Sequence, residues 1–346
     1  MKQPSTIKDI AYEAKVSATA VSLALNNKAG VSEKTRKKII HIAKRLNYHP
    51  NFAAKSLISK RSYTIGLILR NIADPFFPEL ALGIEGKGTE LGYNILLCNT
   101  DGKLENEKRS LDSLRAKGVD GVIITTVTID DPNIKQLIKE RFPFVLINRF
   151  SMDPAIENKV DYVVLDNYAC GYDGVKHLYR LGHDRIAIIA GSMNTSTASM
   201  RTEASMKAMQ DYGINVDTKL IAECGYSRDK AYDAAIRLLT IKNPPTAFFA
   251  QDDYMAIGVR EAVINRGLRI PEDAALLGVD DIEMASITGV DLSTISQKKF
   301  EMGALGAEIL INKIEKTDFN MVNKVVLEPK LIIRKSCGHY LNGYIR

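Results

Sequence analysis

Residues 6–57 read TIKDIAYEAKVSATAVSLALNNKAGVSEKTRKKIIHIAKRLNYHPNFAAKSL, and the tight turn near their start decides how the N-terminal part folds. Ser17 can cap a helix over Ala18–Asn26, whose Val21, Ala24 and Leu25 share one face. Only a few residues separate it from an earlier helix of about two turns. There Thr6 is the cap, Asp9 its capping-box partner, and Ile7, Ile10, Ala11 and Ala14 lie on one side. Two short helices joined so closely, the second rich in small residues, describe a helix-turn-helix. A third helix, capped by Ser32, closes the small core with Ile39, Ile40, Ile42, Ala43 and Leu46. Periodicity alone is equally compatible with an arbitrary small helical bundle.

Charge adds a second argument. The whole chain of 346 residues carries +6, but residues 1–61 hold 13 Lys and Arg against 3 Asp and Glu, a surplus of +10 that leaves −4 on the rest. A basic head on a mildly acidic body points to a polyanion-binding module attached to something that does not bind polyanions. Lys34, Arg36, Lys37 and Lys38 could also be the solvated face of a helix.

From Ser62 onward, apolar runs alternate with amphipathic stretches. Strands are predicted at 63–69, 93–98, 121–125, 144–147, 162–165, 185–190, 247–250 and 275–279, with a last one at 325–333. Helices are predicted at 78–91, 106–117, 167–181, 198–212, 228–239 and 253–266. Such alternation predicts parallel sheets covered by helices on both faces, and a stretch of this length divides better into two lobes than into one sheet. Ligands of open α/β sheets sit beyond the carboxyl ends of the strands. Those ends carry Asp74, Phe76 and Phe77, then Asn148 and Arg149, Asp252 and Asp253, Asp280 and Asp281, and Gln297, while Arg201 follows the loop after Gly191. Carboxylates and amides bond hydroxyls, Arg donates in a fork, and an aromatic ring stacks on a CH-rich face, which suits a monosaccharide. Asp253 could instead cap the helix behind it and Asp281 a turn.

Several motifs of the head occur together: TIKDIA, VSxxxVS, Asn26 at the end of the second helix, VSEKTR, LNYHPN and AAKSL. In these the chain resembles the lactose-repressor/galactose-repressor (LacI/GalR) family. The body resembles the same family's periplasmic-binding-protein-like sensor in NIADPFF, LINR, IAGSMNTSTASMR, FFAQDDYMAIG, GVDD and STISQKKFEMG. The resemblance implies an all-α helix-turn-helix head over 1–50, a hinge helix or linker over 51–61, and an α/β two-lobed body over 62–346. Its two parallel, doubly wound sheets form an N-lobe at about 62–165 and 296–323 and a C-lobe at about 166–295 and 324–340.

It also implies that Ala18, Thr19 and Leu23 read bases, that Thr6, Ser17, Ser22, Asn26 and Thr35 belong to the DNA surface, and that Asn51, Ala54, Lys55 and Leu57 form the hinge. In the family the leucine of that hinge wedges into a central base step; here it is Leu57. The body's cleft residues would be Asp74, Phe76, Phe77, Asn148, Arg149, Arg201, Asp252, Asp280 and Gln297. The sequence departs from the family at Leu23, where relatives often carry a long polar side chain, and at Asn148, where many have Asp. The partners implied are double-stranded operator DNA, a small-molecule effector, a sugar foremost, and a second copy of the chain.

Catalytic readings fail on spacing. GIEGKG at 83–88 is GxxGxG inside a helical stretch, His177 and His183 lack metal spacing, and neither a P-loop nor a GxSxG elbow is present. No cofactor, metal or enzymatic activity is expected. Cys98, Cys170, Cys224 and Cys337 are far apart without a CxxC pair, as buried free thiols would be. The chain shows no leader and no apolar run long enough to span a membrane, so a cytoplasmic protein is expected. The tail CGHYLNGYIR has no heptads, so a dimer without an added tetramerisation helix is expected. The alternatives are a regulator controlled by a protein partner or a non-sugar metabolite, and a transport-type sugar-binding protein with no role on DNA.

Overall fold

A computed structural model describes residues 5–25, 27–48, 61–316 and 321–340. The chain divides into two compact units, residues 1–62 and 63–346.

In the first unit, α1 (Ile7–Ala14), α2 (Ala18–Leu25) and α3 (Glu33–Arg45) enclose a core of Ile10, Ala14, Val21, Ala24, Ile39 and Ile42. The expected caps are in place. Thr6 Oγ1 accepts from the Asp9 amide while the Thr6 amide donates to the Asp9 carboxylate at 2.7 Å. Ser17 Oγ accepts from Ala20 at 3.1 Å, and Ser32 Oγ from Thr35. Ile40, assigned to the core, is instead exposed. Two of the basic residues on α3 are structural: Arg36 donates to the carbonyls of Ala24 and Lys28, and Lys38 to that of Ala14, closing the C-terminal ends of α2 and α1.

The second unit holds two six-stranded sheets. The first runs β11 (Lys324–Leu327), β5 (Tyr162–Leu165), β4 (Phe144–Ile147), β3 (Gly121–Ile124), β1 (Thr64–Leu69), β2 (Asn94–Asn99). The second runs β12 (Lys330–Ile332), β10 (Ser293–Ser296), β9 (Ala275–Asp280), β8 (Ala247–Ala250), β6 (Ile186–Ala190), β7 (Ile221–Glu223). All pairings are parallel except β10 with β12. Strands such as FVLI, YVVL and IAIIA are buried along their whole length, because helices cover both faces and leave no side for alternation.

Among the covering helices, α4 (Phe76–Glu90), α5 (Leu104–Ala116) and α12 (Lys299–Lys316) pack on the first sheet, with α6 (Pro132–Lys139) against α5 and a short α7 (Pro154–Glu157) leading into β5. On the second lie α8 (Asn167–Arg180), α9 (Ser196–Asp211), α10 (Arg228–Leu239) and α11 (Asp253–Asn265). The GIEGKG segment lies within α4. A Cβ on Gly83 would come 2.1 Å from the Phe300 carbonyl oxygen, and one on Gly303 would come 2.2 Å from that of Leu80. These glycines let the α4 and α12 backbones touch, which gives the motif a packing role.

One lobe boundary differs from expectation. The predicted strand over 325–333 is two strands: β11 extends the first sheet beside β5, and β12 crosses to the second beside β10. Residues 324–327 therefore belong to the N-lobe, and Pro329 sits at the crossing, where a missing amide N–H ends the first ladder. The chain passes between lobes three times, after β5, after β10 and after β11. All four cysteines are unpaired; three are buried and Cys98 is half-buried.

Candidate functional site

The cleft between the two lobes is built from strand ends. From the first sheet, Arg70 follows β1, Asp74 and the first turn of α4 come next, and Asn148 and Arg149 follow β4. From the second, Arg201 stands on α9, Tyr226 follows β7, Asp252 follows β8, Asp280 ends β9 and Gln297 follows β10. The cleft holds about 320 Å³, counting space open to solvent.

Backbone geometry shapes the rim. Asn148, Tyr226 and Asp280 have φ of 70°, 63° and 123°, a region that costs a side-chain-bearing residue on the order of 1–3 kcal/mol. Three such residues in one cleft mean that packing holds them there against their local preference. Phe76 and Phe77 are buried with rings edge-to-face at 5.2 Å, so they wall the cleft from α4.

Tyr226 is the centre of the second wall. Its hydroxyl bonds Thr197 at 2.6 Å and Thr195 at 3.1 Å. Its ring fits because residue 191 is glycine; a Cβ there would fall 2.2 Å from the ring. The guanidinium of Arg149 lies 4.9 Å from the ring centroid and that of Arg70 5.5 Å, both within cation–π range. Arg70 also pairs with Asp74 and donates to the Tyr226 carbonyl at 3.3 Å, linking the lobes across the cleft.

Arg201 is 2% exposed. Its Nε donates to Asn167 Oδ1 at 2.9 Å and its Nη1 to the Gln251 carbonyl at 2.6 Å, which leaves Nη2 without a partner. Gly171 permits this placement, since a Cβ there would stand 2.2 Å from the Arg201 carbonyl oxygen. Asp252 accepts from the Met255 amide at 2.5 Å and so caps α11. Burial, with Asp74 nearby, pushes its carboxyl up to about 7. Asp280 accepts from Gln297 and is held well above the carboxylate range by burial, then by Asp252 and Asp253.

In the head, Ser17, Ala18 and Thr19 at the start of α2 are exposed, and Ser22 and Leu23 are half-buried. Leu23 leans on the following turn, where a Cβ on Gly30 would lie 3.2 Å from its Cδ1. Thr35 Oγ1 and Ser32 Oγ are 2.9 Å apart at the α3 cap. Asn26, Asn51, Ala54, Lys55 and Leu57 lie outside the described residues.

Two family models match the chain. One, for bacterial regulatory proteins of the lacI family, matches residues 6–51; the other, for periplasmic binding proteins and the sugar binding domain of the LacI family, matches 62–335. The chain belongs to the LacI family. It is 33% identical to the HTH-type transcriptional regulator DegA of Bacillus subtilis over 335 residues, which cover 96% of this chain and 98% of that one. Among solved structures it is similar to the lac repressor dimer bound to operator and the anti-inducer ONPF, at TM-score 0.85 and 26% identity, with 97% and 99% of the two chains covered. It is also similar to the transcriptional regulator CelR–cellobiose complex, at TM-score 0.74 and 28% identity, with 96% and 99% covered. Like its LacI-family relatives, the chain is a transcriptional regulator with a helix-turn-helix head and a two-lobed ligand-binding body. No helix among the described residues is long and apolar enough to cross a membrane.

All nine residues assigned to the cleft from sequence meet there. Asp253 and Asp281 do not line it. Asp253 accepts from Thr294 Oγ1 at 2.6 Å and the Ile282 amide at 3.0 Å, tying α11 to the second sheet; the helix cap foreseen for it is supplied by Asp252. Asp281 pairs with Arg334 at 2.7 Å instead of capping a turn. Sequence reading did not single out Arg70, Thr197 or Tyr226. Arg70 stands immediately after a predicted strand and could have been found by the same rule, whereas Tyr226 follows β7, three residues with too little pattern to read as a strand.

Proposed function

We propose that this regulator is a dimeric, cytoplasmic repressor that binds a pseudo-palindromic operator and is switched by a sugar or sugar-like effector in the interlobe cleft. The observation that carries the effector reading is the cleft itself. Carboxyl, amide and guanidinium groups converge on a small space walled by aromatic rings, as hydroxyl recognition requires. The cellobiose held by CelR supports it by similarity.

On the DNA side, the exposed start of α2 and the basic surplus of residues 1–61 support major-groove reading by Ala18, Thr19 and Leu23. Ser17, Ser22, Asn26 and Thr35 would contact phosphates, with Thr6 on the same DNA surface. Asn51, Ala54, Lys55 and Leu57 would form the hinge, with Leu57 as minor-groove wedge. Dimerisation is supported by edge strand β2, whose Leu96 and Leu97 are exposed and whose free edge needs cover. Effector closing the cleft changes the spacing of the two hinges and so their fit to the operator.

The test begins by selecting an operator from random duplexes with the full chain, then measuring sugar affinity with and without it. Linkage requires the two affinities to change by one factor. Equal sugar affinity in both states would sink the switch. Leu57→Ala should weaken operator binding far more than non-specific binding, and equal losses would remove Leu57 from the wedge role.

A further inference from the structure

Outside the cleft, two carboxyl groups are buried together in the N-lobe. Glu107 on α5 is 1% exposed, and Asp131, the cap of α6, is fully buried. Asn133 touches both: its Nδ2 donates to Glu107 Oε1 at 2.9 Å and its amide to Asp131 Oδ1 at 3.0 Å. Thr126 Oγ1 also donates to Glu107, while Asp131 accepts from Thr128 and from the Ile134 amide. None of these donors carries a charge.

The charged groups around the pair are engaged elsewhere or face solvent. Lys135 on α6 bonds Asp130 at 2.6 Å and Asp153 at 3.0 Å. Lys103 and Lys108, on either side of Glu107 in sequence, are exposed. Arg149, after β4, favours an ionised Glu107, but burial first and the charge of Asp131 second outweigh it and push the Glu107 carboxyl up to about 7. Burial raises Asp131 as well. A dry site shared by two carboxyls tolerates one negative charge far more readily than two.

The pair holds a loop that touches the other lobe. Residues 125–131 join β3 to α6, with Thr126 tied to Glu107 and Thr128 to Asp131. Between these anchors and the α6 cap, the Ile129 amide donates to the carbonyl of Asn194 at 2.8 Å, and Asn194 follows β6 of the second sheet. The Ile129 carbonyl accepts from Ser151 Oγ at 2.8 Å and from the Met152 amide at 3.2 Å. Phe150, next to them, donates its amide to Ser196 Oγ at 3.1 Å, again from one lobe to the other.

We propose that Glu107 and Asp131 form a pH-sensitive latch on lobe closure: a second negative charge on the pair drives loop 125–131 away from α5 and breaks the Ile129–Asn194 bond. The latch works whatever the effector is and needs none to operate. While one proton is held, the remaining charge rests against the amides at the start of α6, where a helix end favours it. The closed site keeps its proton up to about pH 7, whereas a hydrated glutamate loses it near 4.3. Closure is therefore favoured in acid, weakens as pH rises from about 4 to about 7, and levels off above that.

The experiment is hydrogen exchange of the full chain without effector or DNA, resolved to single amides by mass spectrometry and corrected for the intrinsic rate at each pH. Protection of the Ile129 amide should fall about tenfold or more from about pH 5 to about pH 8, while that of Ile123 in β3 changes less than about twofold. Glu107→Gln, which keeps the shape of the side chain without its charge, should hold Ile129 protection level over the same range. Should that variant fail to fold, Asp131→Asn, which keeps a residue able to cap α6, should flatten the profile in the same way. Constant Ile129 protection in the parent would overturn the latch. An equal fall at Ile123 would overturn it too, as general loosening of the lobe, and so would a fall that survives in a folded variant, which puts the titrating group elsewhere.

Discussion

The surface of the head proposed to face DNA and the cleft of the body proposed to take the effector are made in opposite ways. The start of α2 presents consecutive residues, Ser17, Ala18 and Thr19, all exposed, on a helix held by a core of small and aliphatic side chains. The cleft draws on residues from Arg70 to Gln297, from both sheets, and buries nearly all of them. A surface that reads a rigid duplex can be written on one short helix, because the groove supplies the opposing wall. A surface that surrounds a small polar molecule must supply every wall itself, so it needs strand ends far apart in sequence and tolerates raised carboxyls, unpaired donors and positive φ. The head therefore fails through loss of its few core contacts, the cleft through loss of polar partners.

The largest effect should come from Ile39→Ala. Ile39 is fully buried in a core with few members, and such truncations cost about 2–5 kcal/mol. Binding of the full chain to duplex DNA, followed by fluorescence anisotropy, should be abolished while the body's thermal transition stays in place. A coupled loss in both would mean that the two units do not fold independently.

Arg201→Met comes next. It removes the donors that join α8, α9 and the end of β8, and effector affinity should fall by roughly 2–3 kcal/mol with non-specific DNA binding unchanged, as a buried charged hydrogen-bonding group predicts. Titration of the cognate effector against parent and variant would check it. An unaltered affinity would move the binding determinant away from α9.

Asp252→Asn separates the regions by pH. The unfolded carboxyl loses its proton near pH 3.9 and the folded one near 7, so the native state holds the proton more tightly and parent stability falls as pH rises from about 4 to 7. Asn keeps the cap and removes this loss. Its advantage over the parent in urea unfolding should grow from near zero at about pH 4 to a few kcal/mol at about pH 8. A difference that does not vary with pH would mean that Asp252 is not the carboxyl responsible. The head's capping-box Asp9 runs the other way: backbone and side-chain bonds from Thr6 lower its pKa, so its contribution is lost on acidification.

The smallest effect is Thr6→Ala, which removes that capping box. It should lower head stability by about 1 kcal/mol and weaken DNA binding modestly, without altering effector affinity. Circular dichroism at 222 nm under mild denaturant would register it.

What could be read from sequence follows the same division. The helix-turn-helix was legible because caps, turn and apolar face all lie within a few residues of one another, and helix formation is governed at that range. The alternation of strands and helices was legible too, since buried parallel strands leave unbroken apolar runs. Asp74, Asn148, Asp252, Asp280 and Gln297 could be nominated for the cleft because topology places ligands at strand ends. The sequence could not divide the run 325–333 between two sheets, since each half is equally apolar and only pairing with β5 or β10 distinguishes them.

The strand-end rule alone does not separate Asp252 from Asp253, adjacent carboxylates of which one faces the cleft and the other ties α11 to the second sheet; the family resemblance chose Asp252. Which of the two faces the cleft depends on how the helix N-terminus meets Gly278, whose missing Cβ leaves room for the Asp253 carboxylate. Tyr226 and the unpaired nitrogens of Arg149 and Arg201 exist as a site only once the lobes are assembled. Sequence determines these local preferences because they act over one turn or one strand; burial, charge balance and unmet hydrogen bonds are properties of the closed space between elements, and only the tertiary structure sets them.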